Sequence, residues 1–207
     1  MTRLAALLLA ACTLLAGCAP APQRLGDADR RAIRAVRIDP AIPKPPEIYY
    51  LGPGGGAGLM FGALGAVATE SGRQEARDSL RAFLAKNNVS IERIVLDEFG
   101  AALRASGKLS VTDAAGPGIP TIKIAIRQYG LSIPNGFSSN LVPILYLACE
   151  MVDASGKAVW SASDRLLTLG NPIEAVPGEE MRNSPTAIEK AWRAAARHLS
   201  AQILKEL

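Results

Sequence analysis

Residues 121–131, TIKIAIRQYGL, and residues 141–152, LVPILYLACEMV, decide the fold class of this chain of 207 residues. In the first stretch Ile122, Ile124 and Ile126 alternate with polar or small residues, which is typical of a strand that buries one face. The second stretch is apolar on both faces, so we expect it to be a central strand. Together the two stretches predict the middle of a β-sheet.

Short turns join these strands into an antiparallel meander. Residues 134–136, PNG, separate the two stretches, and residues 153–157, DASGK, form a tight turn into a third strand that starts at Ala158. A shorter strand candidate covers residues 109–113. The sequence therefore predicts a mostly antiparallel sheet of about four to five strands.

Amphipathic helices flank the meander on both sides along the chain. One helical pattern covers residues 73–86, and a second begins at the N-cap Ser90 and ends at Gly107. Residues 171–183 are expected to be a loop that leads to a last helix capped by Ser184. These elements predict an α+β fold with the helices packed on one face of the sheet, preceded by a Gly-rich segment.

The N-terminus has the pattern of an export signal. Arg3 precedes an uncharged apolar stretch over residues 4–15, which is too short to span a bilayer. The next residues complete the motif Leu15-Ala16-Gly17-Cys18, which resembles the lipobox of bacterial lipoproteins. The alternative is an ordinary secretory signal in which Cys18 lies near the cleavage point by coincidence.

The resemblance implies that the chain is cleaved before Cys18 and is held at a membrane by lipid on this cysteine. In lipoproteins an Asp directly after the cysteine retains the protein at the inner membrane. Since Ala19 occupies that position here, the resemblance implies an outer-membrane protein on the periplasmic face. Several acyl chains give stable anchoring without a spanning helix.

The domain organisation follows from this processing. We expect residues 1–17 to be a signal peptide, residues 18–30 a lipidated tether, and residues 31–207 a single periplasmic domain that includes a Gly-rich segment at 52–72. The net charge of +4 falls to +3 when Arg3 leaves. So small an excess gives no reason to expect nucleic acid as a partner.

Residues 30–38 are ambiguous between a strand and a basic amphipathic helix. Four arginines alternate with apolar residues in this stretch, and a Pro-rich segment follows at once. The prolines favour the strand, because the residue before a proline prefers extended backbone. A second extended piece is predicted at residues 48–51.

The Gly-rich segment contains Gly54, Gly58 and Gly62 at every fourth position and has no charge before Glu70. Either it is a flexible loop that leads into a short apolar helix, or it is a small-residue helix that contacts a partner or the membrane. No lysine and hydroxyl pair follows its last glycine, and Pro53 removes one amide from the loop. We therefore predict no nucleotide site.

Residues suited to catalysis are few. His198 is the one histidine, and we expect it to have a structural role near the end of the last helix. On the predicted central strand, Glu150 has a raised pKa if it is buried, or else lies at the strand end beside a Lys or Arg. Cys149 is expected to be a small buried apolar residue. We predict no catalytic residue, no metal and no cofactor.

Two further interpretations concern the surface. The adjacent pairs Asp97/Glu98 and Glu179/Glu180 are interpreted as solvated carboxylates. Phe137 is placed at a hairpin tip, where it is either an exposed anchor for a partner or folded back on the sheet.

The layout of strand, helices, meander and last helix, with a turn containing Asp153, Gly156, Lys157 and Trp160, is similar to that of the small auxiliary lipoproteins of envelope transport systems. This resemblance implies other envelope proteins as partners, or lipids in transit. The first hypothesis is a non-enzymatic adaptor or accessory subunit in a cell-envelope assembly. The alternatives are a carrier of lipid or a small apolar ligand, with its cleft between helices and sheet, and an envelope hydrolase that uses Glu150 or Asp164.

A Cys18→Ser substitution tests the anchor. Without the thiol no lipid can be attached, so we expect the variant to leave the outer-membrane fraction. Sucrose-gradient fractionation with immunodetection measures this. A variant that still fractionates with the outer membrane contradicts the anchor.

Overall fold

The computed structural model describes residues 22–52, 70–114, 116, 118–135 and 138–207. The elements are, in chain order, α1 (Asp27–Ala32), β1 (Ala35–Ile38), β2 (Tyr49–Leu51), α2 (Glu70–Lys86), α3 (Ile91–Ser106), β3 (Ser110–Val111), β4 (Thr121–Ser132), β5 (Asn140–Val152), β6 (Ala158–Leu166), β7 (Val176–Pro177), α4 (Gly178–Asn183), α5 (Pro185–Ile203) and a closing 3₁₀ turn (Leu204–Glu206). No helix in these ranges is long and apolar enough to cross a membrane.

The sheet confirms the α+β class but is larger than the sequence predicts. Its seven strands include the path β3-β1-β4-β5-β6, while β2 pairs with β4 and β7 pairs with β5. The meander β4-β5-β6 is antiparallel, and β5 is its central strand as predicted. By contrast β1 is parallel to β3 and β4, and β2 is parallel to β4. The chain crosses over through α2 and α3 before it returns at β3, and such a crossover joins parallel strands.

The stretch before the Gly-rich segment forms two short strands beside β4. The sequence predicts a strand at residues 30–38. The structure confirms this for β1, whereas residues 30–32 are the end of helix α1. β1 pairs with the start of β4 and β2 with its end, and between them the amide of Ile126 donates to the Pro43 carbonyl at 2.9 Å. Proline has no amide hydrogen, so the Pro-rich segment interrupts the ladder there.

The long helices α3 and α5 begin at the predicted caps. The Ser90 hydroxyl accepts from the Arg93 amide at 3.2 Å, and Gly107 ends α3 in the left-handed region with φ of 62°. At the start of α5 the Ser184 hydroxyl accepts from the Ala187 amide at 3.2 Å. These contacts satisfy backbone groups that a helix end leaves without partners.

The core lies between the sheet and the helices. Ile124 of β4 and Leu147 of β5 have no exposed surface, and neither has Trp192 of α5. The Trp192 indole N–H donates to the Gly130 carbonyl at 3.0 Å, which satisfies its polar atom inside the core. The helix α5 therefore buries one face of the meander, and α3 packs against α5.

The prediction of a loop at residues 171–183 is confirmed for residues 171–175 and wrong for residues 176–183. This stretch contains β7, which pairs with Asn140 and Leu141 at the start of β5, and the short helix α4. A strand of two residues has no periodicity that a sequence pattern can reveal.

We expect Gly130→Ala to destabilise the fold. A Cβ atom at this position would collide with the Tyr49 carbonyl, because β2 passes directly beside β4 there. Forcing the strands apart should lower the free energy of unfolding by about 2 to 3 kcal/mol, measured by urea denaturation. The control is Gly116→Ala, since the nearest atom to a Cβ at Gly116 is at 3.9 Å. Equal stability of the two variants would contradict the close approach.

Candidate functional site

The sequence-predicted site residues Cys18, Gly54, Gly58, Gly62 and Phe137 lie outside the described residues. Their described neighbours along the chain nevertheless have known positions. Leu51 pairs with Ser132, so the chain enters the Gly-rich segment and the hairpin from the same end of the sheet. This is the end of the sheet at which β4 finishes, and we call it the β4-end. It is defined by Leu51, Ser132 and the start of β5 at Asn140.

The face of the meander opposite the helices presents three rows of side chains across the strands. The first row comprises Lys123, Glu150 and Ser161, the second Ala125, Ala148 and Ser163, and beyond it Tyr146 stands beside Arg165. The second row contains only small residues, so it forms a trough between two polar rows. We call this surface the open sheet face.

A hollow of about 410 Å³ lies on the open sheet face. Its floor is the trough and its two polar rows, and its sides include Pro22 on one side and Asp39 and Pro43 on the other. Sequence reasoning missed this hollow, because the trough exists only once the strands are in register.

Glu150 lies in this hollow and is exposed. It is directly opposite Lys123 in the register of β4 and β5. Of the two alternatives for Glu150, this is the one beside a Lys or Arg, and the buried alternative does not apply because the side chain is exposed. Asp164 pairs with Leu147 and so belongs to the other face of the sheet, because side chains alternate along a strand. The two carboxylates proposed for a hydrolase therefore cannot act together.

Cys149 points away from the hollow towards the core. Only 3% of its surface is exposed, and burial raises the pKa of its thiol far above the ordinary value. A protonated buried thiol is a poor nucleophile, so the prediction of a packing role is confirmed. His198 lies half-buried on α5.

A second hollow, of about 610 Å³, lies on the outer side of the helix layer between α3 and α5. Alanines of both helices line it, and Glu98 and Arg197 lie at its edge. Glu98 accepts from Arg197 at 3.0 Å and from Arg193 at 3.3 Å.

The prediction that Glu98 is a solvated carboxylate is wrong, because it is only 8% exposed. The two arginines on α5 permit the burial, since a buried carboxylate needs charged or hydrogen-bonding partners. Asp97 beside it is exposed, as predicted, and its carboxylate lies 3.4 Å from Arg193.

A third hollow touches both the helices and the sheet but is only about 150 Å³. Lys44, Tyr129 and Trp192 are among its lining residues. The Lys44 ammonium lies 5.5 Å from the centre of the Tyr129 ring and 2.6 Å from the Glu92 carboxylate. Lys44 thus ties the Pro-rich segment to the start of α3.

In the described ranges no three His, Cys, Asp or Glu side chains are grouped so that they could hold a metal ion. Two carboxylates near the second and third hollows are paired with cations, Glu98 with Arg197 and Glu92 with Lys44.

No protein-family model matches the chain, and no curated protein matches it significantly. Among solved structures, a Xanthomonas campestris protein of family DUF330 aligns with a TM-score of 0.38 and 16% identity, over 55% of this chain and 58% of the other. PelC from Paraburkholderia phytofirmans, a dodecamer, aligns with a TM-score of 0.37 and 15% identity over 91% of this chain and 95% of its own. These similarities are remote.

The ion pair of Glu92 predicts a pH dependence of stability. Partial burial raises the pKa of this carboxyl, but hydrogen bonds from Lys44 and Ser90 outweigh burial and hold the pKa below its ordinary value. A carboxyl with a lowered pKa stabilises the fold above its unfolded pKa and loses this effect as the pH falls through the folded pKa.

We therefore expect Glu92→Gln to cost less than about 1 kcal/mol near pH 7, and this cost to be lost as the pH falls through the lowered folded-state pKa of Glu92. Urea denaturation across this pH range measures it. Glu47→Gln is the control, because Glu47 is an exposed carboxylate only three residues after Lys44, the partner of Glu92. A pH-independent difference between Glu92→Gln and the wild type would contradict the assignment.

Proposed function

We propose that the chain is a lipoprotein of the bacterial outer membrane that faces the periplasm and acts without catalysis, as an adaptor or accessory subunit in an envelope assembly or transport system. The observation that supports the adaptor role best is the open sheet face, which no helix among the described residues covers, while the opposite face carries the buried core. Its partner would be another envelope protein.

The described start of the chain supports close attachment to the membrane. Gln23 forms an antiparallel bridge with Ser161 of β6, with both backbone hydrogen bonds at 2.9 Å, and Leu25 is buried. The end of the predicted tether is thus attached to the domain. Only three residues then separate Pro22 from Cys18, and the four steps between the two Cα atoms span at most about 14 Å. A lipid on Cys18 would hold the β6 edge of the domain beside the bilayer.

The open sheet face has the chemistry of a protein-binding surface. One row carries a positive and a negative charge, on Lys123 and Glu150, and Arg165 carries a positive charge on the other side of the trough. The side chains of the trough itself are small and uncharged. A strand or loop with an apolar side chain could fill the trough, while polar groups on either side pair with the two charged rows. Rows of mixed charge fix the position at which a partner docks, and they contribute less to the affinity of binding.

The structure gives less support to the carrier. Ligand pockets usually measure about 300 to 1,000 Å³, whereas the hollow that touches both helices and sheet measures about 150 Å³. The larger hollows lie on the two outer surfaces of the domain. We therefore prefer the adaptor.

Substitutions on the open sheet face test the docking role. Ser163→Arg places a long cation in the trough, and Ser163 is exposed, so the fold should tolerate it. We expect the partner that is photo-crosslinked and captured with the lipidated wild-type protein from outer membranes to be reduced about tenfold or more for this variant. Ala154→Arg is the matched control, because Ala154 is exposed in the turn after β5.

The same capture tests the two contact regions predicted from the sequence. Gly58→Leu and Phe137→Ala should each weaken recovery of the partner if those regions take part. If Ser163→Arg and Ala154→Arg recover the partner equally, the open sheet face is not the docking surface. If neither Gly58→Leu nor Phe137→Ala has an effect, the sequence-predicted contacts are wrong.

A further inference from the structure

Two leucines just after β6 are the large apolar residues that the described part of the chain leaves exposed. Leu167 is 53% exposed and Leu169 is 79% exposed. They lie at the β4-end of the sheet, because Thr168 between them contacts Ser132. Single exposed leucines are common, but two side by side on one loop form a local apolar projection.

Polar contacts hold this loop in place on both sides of the projection. The Thr168 hydroxyl donates to the buried Ser132 hydroxyl at 3.0 Å. The Asn171 side-chain amide donates to the Pro143 carbonyl at 2.9 Å, and its oxygen accepts from the Ile173 amide at 3.0 Å. Thr168 is thus held against the sheet, while its two leucine neighbours are exposed to solvent.

The chain before Gln23 runs towards the β4-end of the sheet. Because the Gln23 bridge to Ser161 is antiparallel, residues before Gln23 approach later residues of β6. Pro22 accordingly lines the hollow with Ala162 and Ser163. The four steps from Pro22 back to Cys18 can cover about 14 Å, and the four steps from Ala162 to Leu166 cover about 13 Å. Cys18 can therefore reach the loop that bears the leucines.

We propose that Leu167 and Leu169 insert into the surface of the lipid bilayer and orient the domain on it. This inference rests on the proposed lipid attachment at Cys18, which brings the bilayer within reach of the loop. Inserted apolar side chains at the level of the headgroups are a known mode of peripheral binding. The lipid anchor supplies the attachment, and the two leucines fix which side of the domain faces the membrane.

The charges near the loop indicate an apolar contact. Arg165 precedes the leucines, whereas Glu174, Glu179 and Glu180 follow and are exposed. These carboxylates offset the attraction of the arginine to anionic headgroups. We therefore expect insertion in vesicles of phosphatidylethanolamine with or without phosphatidylglycerol.

The test places a tryptophan in the loop of the full lipidated chain, purified from membranes and reconstituted into vesicles with brominated acyl chains. The natural tryptophans, Trp160 and Trp192, have no exposed surface and provide a constant background. Leu169→Trp should show emission at shorter wavelength and quenching about twofold or more above that of the control Ala154→Trp. Ala154 lies in the turn at the opposite end of β6. Leu167→Trp is a second variant for the same readout.

The outcomes separate the inference from the proposed function. Flotation of the wild-type chain with the vesicles, but not of Cys18→Ser, supports the anchor by itself. If the chain floats and both loop variants are quenched no more than Ala154→Trp, insertion of the leucines is overturned while the anchor stands. Shielding of Leu169→Trp without quenching by lipid also overturns it, because a protein then covers the loop. If the wild-type chain does not float, both proposals fail.

Discussion

The rest of the structure depends on the burial of one face of the meander beneath α5. Trp192 enters the core between α5 and the sheet, and its hydrogen bond to the Gly130 carbonyl fixes it against β4. At the same glycine the absence of a side chain lets β2 pass close to β4. One short stretch of β4 thus determines both how the helices lie on the sheet and how the first strands join it. No helix among the described residues covers the other face of the same strands.

The central part of this fold could be predicted because each element there is long enough to show its periodicity. β4 and β5 have 12 and 13 residues, and Ser90 and Ser184 have the side chains that helix N-termini require. β1, β2, β3 and β7 have two to four residues each. So few residues do not reveal their partner strand, which is why parallel pairing was missed.

The candidate surfaces could be predicted only in part, since they depend on contacts between distant segments. The pattern of β4 already separates Lys123 and Ala125 from the isoleucines, so a polar face was foreseeable. The alignment of Ala125 with Ala148 was not, because a register shift follows Ile126. The burial of Glu98 requires Arg197, which lies 99 positions away in sequence. The arginines at 193 and 197, one turn apart on α5, are the sequence feature that could have indicated the pairing.

The bridge between Gln23 and Ser161 has a mechanical consequence for a tethered domain. A force that pulls the N-terminus parallel to β6 acts in shear on the bridge. Both hydrogen bonds then resist at the same time, instead of breaking one after the other. Leu25 then resists as well, because its side chain must leave the core before the chain can slip. Force from a moving membrane or partner is therefore passed to β6 and through it to the centre of the sheet. If Cys18 carries the proposed lipid, the domain should respond under load as a unit attached to the membrane by a very short connection.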